Sequence, residues 1–226
     1  MSAPDSDSLP SRAKSEYIRQ MSKPAPSFQA RGQIRRDKLV HACRQILQNQ
    51  HVGTFGLAEV GAAAGVPKTS VYHFYPSIDD LLSSIAINIA DELLQWLQGP
   101  YSDTFDLWSD IIRAFVDRGA NFYISNRPAL ELQLGPRTPS AIKNRDRFND
   151  VSVGRALQQL IGLHFVVPAL PDLDDVFFRA IEIADLMFML SVRQHDRLTE
   201  FYVAEAARAS TAYLELYLPR MLARAN

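Results

Sequence analysis

Between Lys68 and His73 the chain reads Lys-Thr-Ser-Val-Tyr-His. Every side chain there but Val71 carries a hydrogen-bond donor, and none is acidic. Lys, Ser and Thr donate to base edges or phosphate oxygens, and a Thr methyl can meet a thymine methyl. Tyr and His donate to phosphates and fix register without reading sequence. This is the chemistry of nucleic-acid recognition rather than of bond making. The residues of bond making are scattered. His41, His51, His73, His164 and His195 stand in no Cys-His or Ser-His-Asp pattern. There is no paired Cys/His metal spacing, Gly-rich phosphate loop or Gly-x-Ser-x-Gly elbow. No catalytic residue, metal or cofactor is expected.

The elements around these residues can position them. Ala62-Ala-Ala-Gly-Val-Pro precedes them, and Phe74-Tyr75-Pro76 follows. The pattern is a short helix, a glycine turn and a second short helix, the layout of a helix-turn-helix whose second helix enters the major groove. Gly65 suits the left-handed turn, and Pro67 suits the first turn of the next helix. Val71, Phe74 and Tyr75 face inward, leaving Lys68, Thr69, Ser70, Tyr72 and His73 outward. The supporting helix covers about Leu57–Ala63, with Leu57, Val60 and Ala64 inward. A preceding helix over about Gln33–Gln50 carries Leu39, Cys43, Ile46 and Leu47 on one stripe, making Cys43 a core residue. Arg35, Arg36, Lys38 and Arg44 lie mostly off that stripe.

The chain has 226 residues and a formal net charge of −1, and 47% of its residues are apolar. The charge is unevenly spread. Residues 1–76 hold ten Lys/Arg against five Asp/Glu, net +5, and residues 77–226 hold fourteen against twenty, net −6. Only the first part is expected to meet phosphate. Residues 1–30, rich in Ser and Pro, read as a flexible basic arm with Arg12, Lys14, Arg19 and Lys23. They lack the apolar run of a secretory signal. No apolar run is long enough for a bilayer, and a single cysteine fits a reducing cytosol, so a cytoplasmic location is expected.

Further helices are expected over about Ser77–Leu97, Thr104–Ser125, a short piece with a loop in 127–139, Ser140–His164, Leu173–His195 and Leu198–Leu218. No segment alternates as a strand would. The fold class is all-α with about nine helices. It divides into the arm (1–30), a three-helix DNA-binding domain (31–76) and a helical effector-binding and dimerisation domain (77–226).

The stretch from Gln33 to Leu82 resembles the DNA-reading region of the TetR family of bacterial regulators. The resemblance is carried by Leu39-Val-His-Ala-Cys43, Val60-Gly-Ala-Ala-Ala-Gly-Val66, Lys68-Thr-Ser-Val-Tyr-His-Phe-Tyr-Pro-Ser77 and Leu81. It implies that Tyr72 and His73 sit at the DNA backbone, with Thr69 and Ser70 closer to the bases. Three positions depart from the family pattern: Gly56 replaces a capping threonine, Ile78 a lysine, and His51 a glycine. Two phosphate contacts per subunit would then be missing, and Arg35, Arg36, Lys38 and the arm are expected to supply the difference.

One reading helix covers too little DNA for selectivity, and such proteins pair across half-sites about 34–36 Å apart. Phe177, Ile181 and Phe188 in the penultimate helix, with Tyr202, Ala209 and Tyr213 in the last, are expected at a homodimer interface. The resemblance implies that these helices form a four-helix bundle. An effector pocket is expected among the middle helices, walled by Trp108, Ile112, Phe115 and Phe122, with Asp185 and Met189. Gly119 leaves room, and residues 127–137 form a lip. Asp185 and Glu182 could bind a ligand, or equally pair with Arg193 or a dimer mate. The implied function is a regulator, a repressor released from a palindromic operator on double-stranded DNA by a small molecule of unknown identity. The alternatives are an activator and an all-helical protein-interaction module.

Overall fold

The computed structural model describes residues 28–101 and 104–225. Among these the chain forms nine α-helices and no strand, apart from one antiparallel bridge between Phe165 and Arg224. The first helix, α1, spans Phe28–Leu47. It starts five residues before Gln33, because no helix breaker stands between Pro26 and Gly32, and one glycine inside a helix costs only about 1 kcal/mol. It stops at Leu47, the last fully buried residue of its stripe; the amides of Gln48, Asn49 and Gln50 turn back onto the carbonyls of Gln45 and Ile46. Of the expected arm, residues 1–27 lie outside the described residues, and Phe28–Ala30 are helical.

The chain divides into two compact units, one ending at Lys38 and one beginning at Leu39. In the first, taken by itself, Arg35, Arg36 and Lys38 are exposed, and Gln33 Nε2 donates to Asp37 Oδ1 at 2.8 Å one turn further on. The second holds the rest of the fold, and the expected boundary after Pro76 falls inside it. Its helices are α2 (Leu57–Ala64), α3 (Lys68–Phe74), α4 (Ile78–Leu97), α5 (Trp108–Ser125), α6 (Arg127–Ala129), α7 (Ser140–His164), α8 (Leu173–His195) and α9 (Glu200–Leu214). The α6 helix runs on into a π-helical turn, Leu130–Leu134.

The centre of this unit is α8, flanked by α7 on one side and α9 on the other, while α7 also packs on α4 and α9 on α5. A single buried cluster runs from Leu39 through Trp108, Leu157 and Phe177 to Leu218. This placement corrects half of the expected dimer face. Phe177, Ile181 and Phe188 are 0%, 7% and 3% exposed within one protomer. A helix between two neighbours turns its largest aromatic and aliphatic side chains into its own core, so these three offer a second copy almost no surface.

The C-terminal tail is held in a way the helical pattern does not foretell. Trp108 Nε1 donates to the Pro219 carbonyl at 2.8 Å, Val166 N–H to the Ala223 carbonyl at 2.8 Å, and Ala225 N–H to the His164 carbonyl at 2.9 Å. The Arg224 guanidinium donates to the Phe105 carbonyl and lies 4.8 Å from the Phe165 ring centroid. No described helix is long and apolar enough to cross a membrane.

Candidate nucleic-acid interface

The supporting helix starts without a side-chain cap. Gly56 stands at its N-cap, and its N–H donates to Glu59 Oε2 at 2.6 Å. This is half of a capping box; glycine has no hydroxyl to complete it or to offer a phosphate. Leu57, Val60 and Gly61 turn into the core, and Ala64 is half-buried. Gly65 closes α2 at φ 62°, in the left-handed region where a Cβ would be strained. The Val66 N–H donates to the Gly61 carbonyl at 3.0 Å, and the Gly65 N–H to that of Ala62 at 3.2 Å, satisfying carbonyls at the helix end.

Gly61 has a packing role. A Cβ there would stand 2.7 Å from Val71 Cγ2, so α2 and α3 cross at this point with no room for a side chain. Val71 is 1% exposed and pins the inner face of α3, helped by buried Tyr75, whose N–H donates to the Val71 carbonyl at 2.9 Å. Phe74 is half-buried against the core and meets the His73 ring edge-on at 5.4 Å. Pro67 serves as the N-cap of α3, one place earlier than its expected position in the first turn.

With Val71 inward, Lys68, Thr69, Tyr72 and His73 are exposed and Ser70 is half-buried. Tyr72 is 44% exposed, too open for a packing residue, and Lys68 Nζ lies 6.0 Å from its ring centroid. No acidic residue occurs between Glu59 and Asp79. Beyond α3 the chain is locked by a complete capping box: the Asp80 N–H donates to Ser77 Oγ at 3.2 Å and the Ser77 N–H to Asp80 Oδ2 at 3.0 Å. Ile78 is half-buried and packs against the core, so its apolar side chain serves the fold rather than the surface. Arg35 belongs to the first unit and is exposed there.

A second candidate site is a cavity of about 40 Å³ between α4, α5, α7 and α8. Its walls include Phe115, Gly119, Tyr123, Ile181, Ala184 and Phe188. Of the expected pocket residues, Phe115 and Asp185 line it, whereas Trp108, Ile112, Phe122 and Met189 do not. Trp108 is engaged with the C-terminal tail, and Ile112 is fully buried. Ile181 and Phe188, expected at the dimer interface, belong to this wall instead.

The geometry defines an all-helical chain that presents a short polar helix on a helix-turn-helix scaffold, joined to a bundle with a central helix. Its fold is that of the TetR-family transcriptional regulators. It is similar to a TetR transcriptional regulator from Rhodococcus sp. RHA1 (TM-score 0.60, 11% identity, covering 82% of this chain and 98% of that one). It is also similar to a TetR-family regulator from Streptomyces coelicolor (TM-score 0.61, 21% identity, 81% and 99%). A third similar structure is the flavonoid-responsive regulator FrrA (TM-score 0.50, 18% identity, 83% and 98%). No family model matches the sequence, and no curated protein matches it.

Proposed function

We propose that this chain is a cytoplasmic DNA-binding transcriptional regulator, a repressor that leaves a palindromic operator when a small molecule fills its bundle. The observation that carries this reading is the solvent face of α3. Lys68, Thr69, Tyr72 and His73 stand exposed on a helix whose other face is fixed by Val71. Thr69 and Ser70 read base edges; Lys68, Tyr72 and His73 hold phosphates, with Arg35 adding a further phosphate contact. The chain has no catalytic role in this reading.

The working form is a homodimer joined through α8 and α9. The outer side of α8 carries Leu186, 48% exposed, with Ile183 and Leu190 half-buried beside it. Tyr202 and Tyr213 of α9 border the same side: the Tyr202 hydroxyl donates to Gln194 Oε1 at 2.9 Å, and Arg179 Nε donates to the Tyr213 hydroxyl at 2.7 Å. Ala209 lies between them in sequence and allows close approach. Burying this apolar side against its symmetry mate sets the spacing of the two reading heads. An apolar, aromatic effector suits the walls formed by Phe115, Tyr123 and Phe188. Because this cavity is far smaller than the roughly 300 Å³ or more of a typical ligand pocket, such a ligand must select a more open state, and release from DNA is that population shift.

The test is fluorescence anisotropy on a labelled duplex of random sequence at a series of salt concentrations. Lys68→Ala should weaken binding to all sequences alike and reduce the log–log salt slope by about one. An unchanged slope would remove Lys68 from the phosphate contacts and the reading with it.

A further inference from the structure

Glu131 is a carboxylate only 3% exposed, and a buried charge needs partners. It has two, on different elements. Arg127 Nη2 lies 2.7 Å from Glu131 Oε1, and His51 Nδ1 lies 3.0 Å from the same oxygen. A carboxylate only accepts, so Nδ1 is the nitrogen that carries the proton. His51 stands in the loop between α1 and α2, the chain entering the helix-turn-helix, while Glu131 is in the π-helical turn that continues α6. The same Arg127 guanidinium reaches a third element. Its Nη1 donates to the Asp196 carbonyl at 2.9 Å and its Nη2 to the Asp196 carboxylate at 3.1 and 3.3 Å, at the C-terminal cap of α8.

The backbone holds these groups in place. Thr138 Oγ1 donates to the Glu131 carbonyl at 2.7 Å, and a Cβ on Gly135 would stand 2.2 Å from that carbonyl oxygen, so only glycine closes the turn. Asp196 sits at φ 56°, a left-handed conformation that Asp and Asn tolerate. His51, Glu131 and Asp196 also bring potential metal-ligating atoms within 4.8 Å of one another. Arg127 Nη2 contacts both carboxylates, so a guanidinium already fills the place a cation would take.

The junction lies at the C-terminal ends of two helices that wall the cavity, at the cap of α8 and just after α5. Tyr123 of α5 lies four residues before Arg127, and Phe188 of α8 lies eight before Asp196, about 12 Å along the helix. We infer that Arg127, on the α6 turn that follows α5, is a positioning residue: it ties the C-terminal end of α8 to Glu131, and through His51 to the loop that carries the reading head. A displacement of α8 against α5 loosens the Arg127–Asp196 contact, and the loop ahead of α2 loses its fixed point. This regulatory meaning rests on the reading of the chain as a ligand-controlled DNA binder.

The experiment is hydrogen–deuterium exchange on the full-length protein, with wild type, Asp196→Asn, His51→Ala and the Asp196→Asn/His51→Ala double variant. Asn keeps the left-handed backbone while removing the charge. Asp196→Asn should speed exchange at residues 48–60 about fivefold, the change in opening that a coupling within one network produces. The thermal midpoint and the exchange of α7 should stay as in wild type. The double variant should exchange no faster than His51→Ala alone. Unchanged exchange at residues 48–60 in Asp196→Asn, effects that multiply in the double variant, or faster exchange throughout the chain would each overturn the inference. The readout needs neither DNA nor effector. A coupled network in a protein that binds no DNA would defeat the proposed function alone; a DNA binder with independent effects would defeat this link alone.

Discussion

Replacing Gly61 by alanine adds one methyl where α2 and α3 cross. The new Cβ would lie 2.7 Å from Val71 Cγ2, about 1 Å inside ordinary carbon–carbon contact. Val71 is 1% exposed and β-branched, so it has almost no alternative rotamer within a helix. The helices must therefore part. Overpacking of this kind costs about 1–3 kcal/mol, and the better helix propensity of alanine returns ~1 kcal/mol. The net loss is about 1 kcal/mol, a fall of roughly 2–4 °C in thermal midpoint for a chain of this size. Gly162 in α7 is the control. A Cβ there meets nothing within 4 Å, so Gly162→Ala should raise the midpoint. Circular dichroism melts of Gly61→Ala, Val71→Ala and the double variant complete a cycle. Val71→Ala empties the space the new methyl needs, so the double variant should lose less than the sum of the singles by about 1–2 kcal/mol. Gly61→Ala should also bind DNA more weakly, because α3 has moved. If Gly61→Ala stabilises the chain as Gly162→Ala does, or the cycle is additive, the close approach that fixes α3 does not exist.

Three further outcomes follow from the structure. Leu186→Glu should convert the proposed dimer to a folded monomer in sedimentation equilibrium, because the side chain lies on the open side of α8; an intact dimer would place the interface elsewhere. Gly65→Ala should cost about 1–2 kcal/mol in denaturant unfolding, the penalty of a side chain in the left-handed region. Burial pushes the Cys43 thiol from 9.0 up to about 12. Thiol reagents at pH 8 should therefore leave folded protein unlabelled and modify it in denaturant. The unfolded thiol ionises first, so Cys43's contribution to stability is complete below pH 9 and is lost as pH rises toward 12.

The scaffold of the helix-turn-helix was legible because each part has a local cause. Gly65 had to be left-handed, Val71 had to face inward, and Pro76 had to end the helix. Tyr72 and His73 stand outside because Val71 and Tyr75 take the inner positions. The bundle was less legible. A helix apolar on nearly every side says that α8 is buried, yet not which residues meet its own neighbours and which meet a partner. Phe177, Ile181 and Phe188 fell on the wrong side of that choice. Trp108 read as a pocket wall because its indole partner, the Pro219 carbonyl, lies 111 residues away. The π-helical turn that sets Glu131 has one visible trace, Gly135 next to Pro136, and the tie from His51 to Glu131 spans 80 residues. Contacts of that separation leave no periodic signal.

The central claim is that α3 reads DNA from each half of a dimer. Selection of bound fragments from random duplex DNA by the purified full-length protein tests it most directly. The account predicts a palindromic consensus, with half-site centres about one helical turn or a multiple apart, that is lost in Thr69→Ala. No enrichment over the starting pool at moderate salt, or a consensus unaffected by changes in α3, would contradict it.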